Sequence, residues 1–358
     1  MTRVIDRILV CSLFVLSLAG ALHADDAFRV TPYLQNPSAD GLTLVWFSNR
    51  GTAGEVRWGP AEGDEVETMA SQPAAEDSLA YHPLELDAPD SPLAHPATEP
   101  FRHEVHLAGV RPGVAYAWQV TQDGATATGR FRLPAATDSA LRFIAFADSE
   151  TEPESTGKFS DWPDDAGNKR SYLVDQTDGY AANLAVMAGR NPAFVAIAGD
   201  LVQSGGEQRD WDEFWRHTAP LAASAFVLPA LGNHEYFAGP YEFGRYATED
   251  SERAVAKYRS YFNLPANGSA VADDSERYFA VQYGPVSLIS LDLNNGRPNR
   301  GDRDTNWHLL GDGEGGKAPG WQPGSRQHRW LKKALEAARR DSAFSLVLFH
   351  HCPYSSGP

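Results

Sequence analysis

Phe226-Val227-Leu228-Pro229-Ala230-Leu231-Gly232-Asn233-His234-Glu235 decides the fold. Its apolar run suits a strand buried on both faces by helices. The run then stops at a glycine and delivers an amide, an imidazole and a carboxylate in succession. Three further runs end in the same way: Phe143–Ala147 in Asp148-Ser149-Glu150, Phe194–Ala198 in Gly199-Asp200, and Phe344–Phe349 in His350-His351. With another apolar run at Val286–Leu291, and helical spacing over Tyr180–Arg190, Glu252–Tyr261 and Arg326–Arg340, the residues from Leu141 onward read as α/β. The stripe Trp330, Leu331, Ala334, Leu335 and Ala338 reads as a core face. Open α/β sheets build their sites at the carboxyl ends of strands. Carboxylate, amide and imidazole gathered there suit Mn, Fe, Zn or Mg.

N-terminal to this half the periodicity changes to two. Phe28–Leu34, Leu42–Phe47, Gly54–Trp58, Phe101–Leu107, Ala115–Thr121 and Ala127–Leu133 alternate as strands of a β-sandwich. Val110-Arg111-Pro112-Gly113-Val114-Ala115-Tyr116 resembles the tyrosine corner of immunoglobulin-like and fibronectin type III folds. The Pro/Ala/Asp-rich stretch from Pro60 to Pro100 reads as a surface insertion. Arg3 and Arg7, the apolar run Ile8–Leu18 and the small residues Ala19, Gly20 and Ala21 read as a secretory signal peptide, cleaved after Ala21 or Ala24. A membrane anchor is the alternative, but a spanning helix needs about 20 residues. The expected organisation is a leader over 1–24, a sandwich over 25–136 and an α/β domain over 137–358, in a protein that is exported, periplasmic or extracellular, with no stable membrane insertion once the leader is removed.

Of the two cysteines, Cys11 lies in the leader, which leaves Cys352 without an internal partner. The 358 residues carry 31 basic and 47 acidic side chains, a formal charge of −16, which argues against nucleic acid or an anionic membrane as a partner. A phosphate substrate remains possible, because bound cations would dominate the local field.

The blocks Asp148-Ser149-Glu150, Gly199-Asp200, Gly232-Asn233-His234-Glu235 and His350-His351 resemble the motifs of calcineurin-like metallophosphoesterases. The preceding sandwich, with Pro32-Tyr33-Leu34-Gln35-Asn36-Pro37 and Val45-Trp46, is similar to the fibronectin-like domain of the purple acid phosphatase branch. The resemblance implies a hydrolase of small phosphate esters with two metal ions, Fe, Mn or Zn. Asp148 would bind the first ion, Asp200 would bridge both, and Asn233 and His350 would bind the second. His234 would give a proton or hydrogen bond to the phosphoryl or leaving-group oxygen. His350 and His351 compete for one ligand position; Pro353 and Tyr354 favour His350, with His351 facing substrate.

Three departures stand out. Gln203 occupies the place of the tyrosine that colours purple acid phosphatases. Glu150 stands where other members carry a histidine, and either adds a carboxylate ligand or lies behind the ligands as an acid. Residues 351–358 lack the Gly-His-x-His block that the resemblance implies, so a truncated chain of poor activity is expected.

Asp302, Asp304, Asp312 and Glu314 read as a solvated loop before a calcium site, and Trp211 and Trp215 as core. Asn267-Gly268-Ser269 is a glycosylation sequon. Phosphate monoester hydrolysis is the leading function; the alternatives are diester or nucleotide hydrolysis on the same metal core, and a metal- or phosphate-binding protein without catalysis.

Overall fold

The computed structural model describes residues 27–86, 93–135, 140–153, 158–163, 169–174, 176–238, 248–294, 318–321 and 323–351. The leader, Cys352, Pro353, Tyr354, Asp302, Asp304, Asp312 and Glu314 lie outside them. No helix among the described residues is long and apolar enough to cross a membrane.

Eight strands build the N-terminal part: β1 (Val30–Gln35), β2 (Gly41–Ser48), β3 (Glu55–Pro60), β4 (Glu67–Ala70), β5 (Ala74–Ala75), β6 (Phe101–Ala108), β7 (Ala115–Gln122) and β8 (Ala125–Arg132). They form two antiparallel sheets, ordered β1-β2-β6-β5 and β4-β3-β7-β8. The Tyr116 hydroxyl accepts from the Arg111 backbone N–H at 3.0 Å, which fixes the turn into β7. β6 and β7 alternate buried and more exposed residues, as period-two strands should. β2 does not; it is buried along both faces.

Phe47 of β2 meets the Tyr261 ring at 5.1 Å, and β1 beside it is covered by a helix outside the expected set. After β9 (Phe143–Phe146), a hairpin of β10 (Lys158–Pro163) and β11 (Lys169–Val174), helix α1 (Gln176–Gly189) and β12 (Phe194–Ile197), the chain forms helix α2 (Gln208–Ala222). Helix α2 packs against β1 and is buried on nearly every side. Trp215 stacks on Tyr33 at 4.2 Å, and Trp211 on Tyr261 at 5.3 Å. Trp211, Phe214, Trp215, Thr218 and Ala222 recur at helical spacing, and Arg209, Asp210, Asp212 and Glu213 are buried as well. Asp212 accepts from Arg29 Nε and Nη2 at 3.3 and 3.2 Å.

The expectation of a surface insertion over Pro60–Pro100 is corrected in part. Leu79, Tyr81 and Glu85 are buried. The Tyr81 hydroxyl donates to Asp212 Oδ2 at 2.5 Å, and Glu85 Oε1 accepts the Arg209 backbone N–H at 3.1 Å. A stretch rich in Pro and Asp packs inward here because its polar groups find partners on α2.

The remaining elements are β13 (Phe226–Pro229), helix α3 (Thr248–Tyr261), β14 (Phe279–Tyr283), β15 (Val286–Ser290), helix α4 (Arg326–Asp341) and β16 (Phe344–Leu348). β9, β12 and β13 form a parallel sheet ordered β13-β12-β9, and β14-β15-β16 a second, mixed sheet. β12, β13 and β15 are buried throughout, while β9 and β16 keep partial exposure. Trp330, Leu331, Ala334 and Ala338 of the α4 stripe meet Ile289 and Leu291 as a core face; Leu335, expected with them, is exposed.

Within the sandwich, buried His103 sits between the Ser48 and Ser71 hydroxyls, 2.8 Å from each, and stacks on Trp46. Burial lowers its pKa from the ordinary 6.5 to about 4. Between those values the unfolded chain takes up a proton that the folded one refuses, so stability falls as pH falls through this window. Thermal midpoints measured from pH 7 to 4 are expected to show this slope, and His103→Gln to flatten it. An unchanged slope in the variant would assign the loss to other groups.

Candidate metal centre

Beyond their strands, the chains leaving β9 and β12 continue side by side. Asp148 N donates to Gly199 O at 3.1 Å, Glu150 N to Asp200 O at 2.9 Å, and Thr151 N to Leu201 O at 3.2 Å. Asp148, Glu150 and Asp200 have φ of 59°, 37° and 54°, a region L-residues rarely adopt. Such strain persists only where the surroundings hold it, and it gathers at functional sites. Glycine allows the third chain in: a Cβ on Gly232 would lie 2.1 Å from Asp200 Oδ1, and one on Gly199 would lie 2.8 Å from His350 Cβ.

Glu235 ties these loops from below. Fully buried, its Oε2 accepts the backbone N–H of Asp200 (2.9 Å) and Gly232 (2.7 Å), and its Oε1 that of Leu201 (2.7 Å). Burial and then the neighbouring Asp200 charge push its pKa up to about 7, against the pull of those N–H bonds. Glu235→Gln keeps the shape but turns an amide NH2 toward backbone donors. An unmade bond to a buried donor costs about 1–3 kcal/mol, so urea unfolding is expected to show a loss of that size; no loss would mean the cradle adds nothing to stability.

Above Glu235 the side chains converge on Asp200. Its Oδ1 accepts the His234 backbone N–H at 2.9 Å, and its Oδ2 lies 3.1 Å from His350 Nε2 and 3.9 Å from His234 Nε2. His350 Nε2 also lies 3.0 Å from Asn233 Oδ1, while its Nδ1 donates to Ala198 O at 2.8 Å. His234 Nδ1 donates to Gln203 O at 2.6 Å, which leaves Nε2 toward the carboxylates. Burial alone would raise Asp200 and lower His350. The bond and charge between them win, holding Asp200 below the usual carboxylate range and raising His350 to about 9. Asp148 and Glu150 are both raised, chiefly by desolvation and further by neighbouring carboxylates.

Two groups have ligand atoms within 4.8 Å of one another: Asp148, Asp200 and His350, and Glu150, Asp200 and His234. Asp200 belongs to both. Crowded carboxylates, mixed with imidazoles and an amide oxygen, form a donor set that fits divalent cations. His351 lies beside His350, its ring nearly perpendicular at 5.0 Å.

Trp211 and Trp215 lie in the core. The Asn267 amide donates to Asp274 O and Tyr278 O, so the sequon nitrogen is engaged in the fold. Behind the site, the Tyr236 hydroxyl donates to Asp292 and accepts from Arg277 Nη1 at 2.6 Å, and Arg277 bridges both oxygens of Glu252 at 2.9 Å. Sequence reasoning found Glu235 as a motif letter without its cradle, and missed Gln176, which donates to Glu150 Oε2 at 2.6 Å. The motif could have flagged Glu235; no local signal marks Gln176.

Residues 149–358 match the family described as calcineurin-like phosphoesterase. Two uncharacterized proteins of Mycobacterium tuberculosis, from two strains, are 27% identical over 257 residues, covering 70% of this chain and 42% of theirs; the chain thus spans less than half the length of these curated relatives. The purple acid phosphatase from yellow lupin (Lupinus luteus) seeds shares the fold, with TM-score 0.60 at 19% identity over 91% of this chain and 51% of its own.

Proposed function

Because this chain belongs to the calcineurin-like phosphoesterase family, we propose that it hydrolyses phosphate monoesters outside the cytoplasm, with two metal ions sharing Asp200. The observation that carries the reading is the arrival of Asp148, Asp200, Asn233 and His350 at one rim from four separate stretches of chain. The family resemblance would give Asp148 and Glu150 to one ion and Asn233 and His350 to the other; the geometry brings Asp148 to His350 and Glu150 to His234, with Asp200 common to both groups. Bound divalent ions supply charge neutralisation at a phosphoryl group and an acidified water. The protein's own part is placement. Asp200 would be shared by the two positions: its Oδ2 faces the His350 and His234 rings while the His234 backbone N–H holds its Oδ1, and Gly199 and Gly232 let the loops approach this closely. His234 has its Nδ1–H committed to Gln203 O and aims Nε2 inward; in its imidazolium form it can hand the Nε2 proton to the departing oxygen. His351, next to His350, is the second group we place toward substrate.

Export rests on the leader pattern over residues 1–24. A fibronectin type III-like assignment of 25–136 is supported by the Tyr116–Arg111 bond and the two antiparallel sheets.

The test compares an aryl phosphate monoester with an aryl phosphate diester, using purified protein loaded with Mn or Zn. Faster monoester turnover, lost on chelation, is expected. Preference for the diester would move the assignment to phosphodiesterases. Bound metal without turnover of either would favour a binding protein.

A further inference from the structure

We propose that Gln176 is a positioning residue that makes Glu150 a one-oxygen metal ligand. The inference rests on the metal-centre reading above. Glu150 leaves β9 with φ of 37°, and its backbone N–H is tied to Asp200 O, so its Cβ direction is set by the loop pairing. Its carboxylate is half-buried beside Asp200 and His234, where two oxygens and several rotamers are open to it. Gln176, the first residue of α1, removes that freedom: its Nε2 donates to Glu150 Oε2 at 2.6 Å. One oxygen is thereby engaged and one is left for a cation. The helix end is itself anchored to the same loop, because the Thr177 hydroxyl donates to Glu152 O (2.8 Å) and accepts from Glu152 N (3.2 Å). A contact from α1 thus bears directly on the donor set, and groups that orient metal ligands through hydrogen bonds commonly matter 10- to 100-fold in affinity.

The experiment titrates the metal-free full chain with Co²⁺ alone, reading stoichiometry by elemental analysis, dissociation constants by calorimetry and coordination by visible absorption. Wild type is expected to take two ions. Gln176→Met is expected to weaken one of them roughly 10- to 100-fold, to change the absorption of that ion, and to leave the other ion and the metal-free thermal midpoint as they were. In a Glu150→Ala background the same replacement is expected to add nothing, since the coupling runs only through that carboxylate. Equal affinities in wild type and Gln176→Met, or a Gln176→Met effect that persists without Glu150, overturns the proposal while leaving the metal centre standing. Failure of wild type itself to bind Co²⁺ overturns the metal centre and this inference with it.

Discussion

Asp200→Asn is expected to lower aryl phosphate turnover at least about a thousandfold, because this carboxylate is common to both candidate ligand groups and faces both histidine rings. Its two oxygens meet the His234 backbone N–H and the His350 ring, and it is common to both candidate ligand groups. The amide keeps one acceptor for the His234 N–H, so the loop should hold its shape while the bridging charge is lost. Elemental analysis is expected to show a fall in bound metal alongside turnover, with the metal-free thermal midpoint close to wild type. Retained activity with retained metal would remove Asp200 from the centre and with it the proposed mechanism. His234→Ala should instead leave metal content intact and lower turnover by roughly 10²- to 10⁴-fold, the usual range for a lost general acid.

Asp212→Ala is expected to be the most destabilising single change outside the centre. Asp212 is buried with Arg29, Tyr81 and Gln208 around it, and it joins the start of β1 to the middle of α2 across the two halves of the fold. Arg29 has no exposed side-chain surface, so removing its counter-charge leaves an unpaired cation in the interior. Breaking a buried pair on one side costs roughly 3–5 kcal/mol, whereas replacing both partners by apolar residues of similar volume is often close to neutral. Urea unfolding should show the full loss for Asp212→Ala and a large recovery in Arg29→Met combined with Asp212→Leu. A loss under about 1 kcal/mol would mean water reaches Arg29.

Much of the α/β half was legible in the sequence, for a physical reason. Phe143–Phe146 and Phe194–Ile197 are strands inside the expected runs Phe143–Ala147 and Phe194–Ala198; the second is buried throughout, as an unbroken apolar run suits, and the first keeps partial exposure. Helix α2 was missed although Trp211, Phe214, Trp215, Thr218 and Ala222 recur at helical spacing; what the period does not record is the fate of its charges. Arg209, Asp210, Asp212 and Glu213 interrupt its apolar face, and only partners far away in sequence show why such charges are buried. The same holds for Leu79, Tyr81 and Glu85, placed in a stretch whose composition resembles a surface loop.

By itself the sequence determined most of the strands, though not β4, β5, β10, β11 or β14, which of them end in ligand-type residues, and the family to which the Gly232–Glu235 block points. Those are local properties: a period, a run and a short ordered motif. The tertiary structure alone decided that β16 reaches the site from a second sheet, that Glu235 gathers three backbone N–H groups beneath Asp200, that Gln176 holds Glu150, and that Arg29 meets Asp212. These contacts join residues brought together by chain crossing, where side-chain direction and burial set the partner and no periodicity along the chain records it.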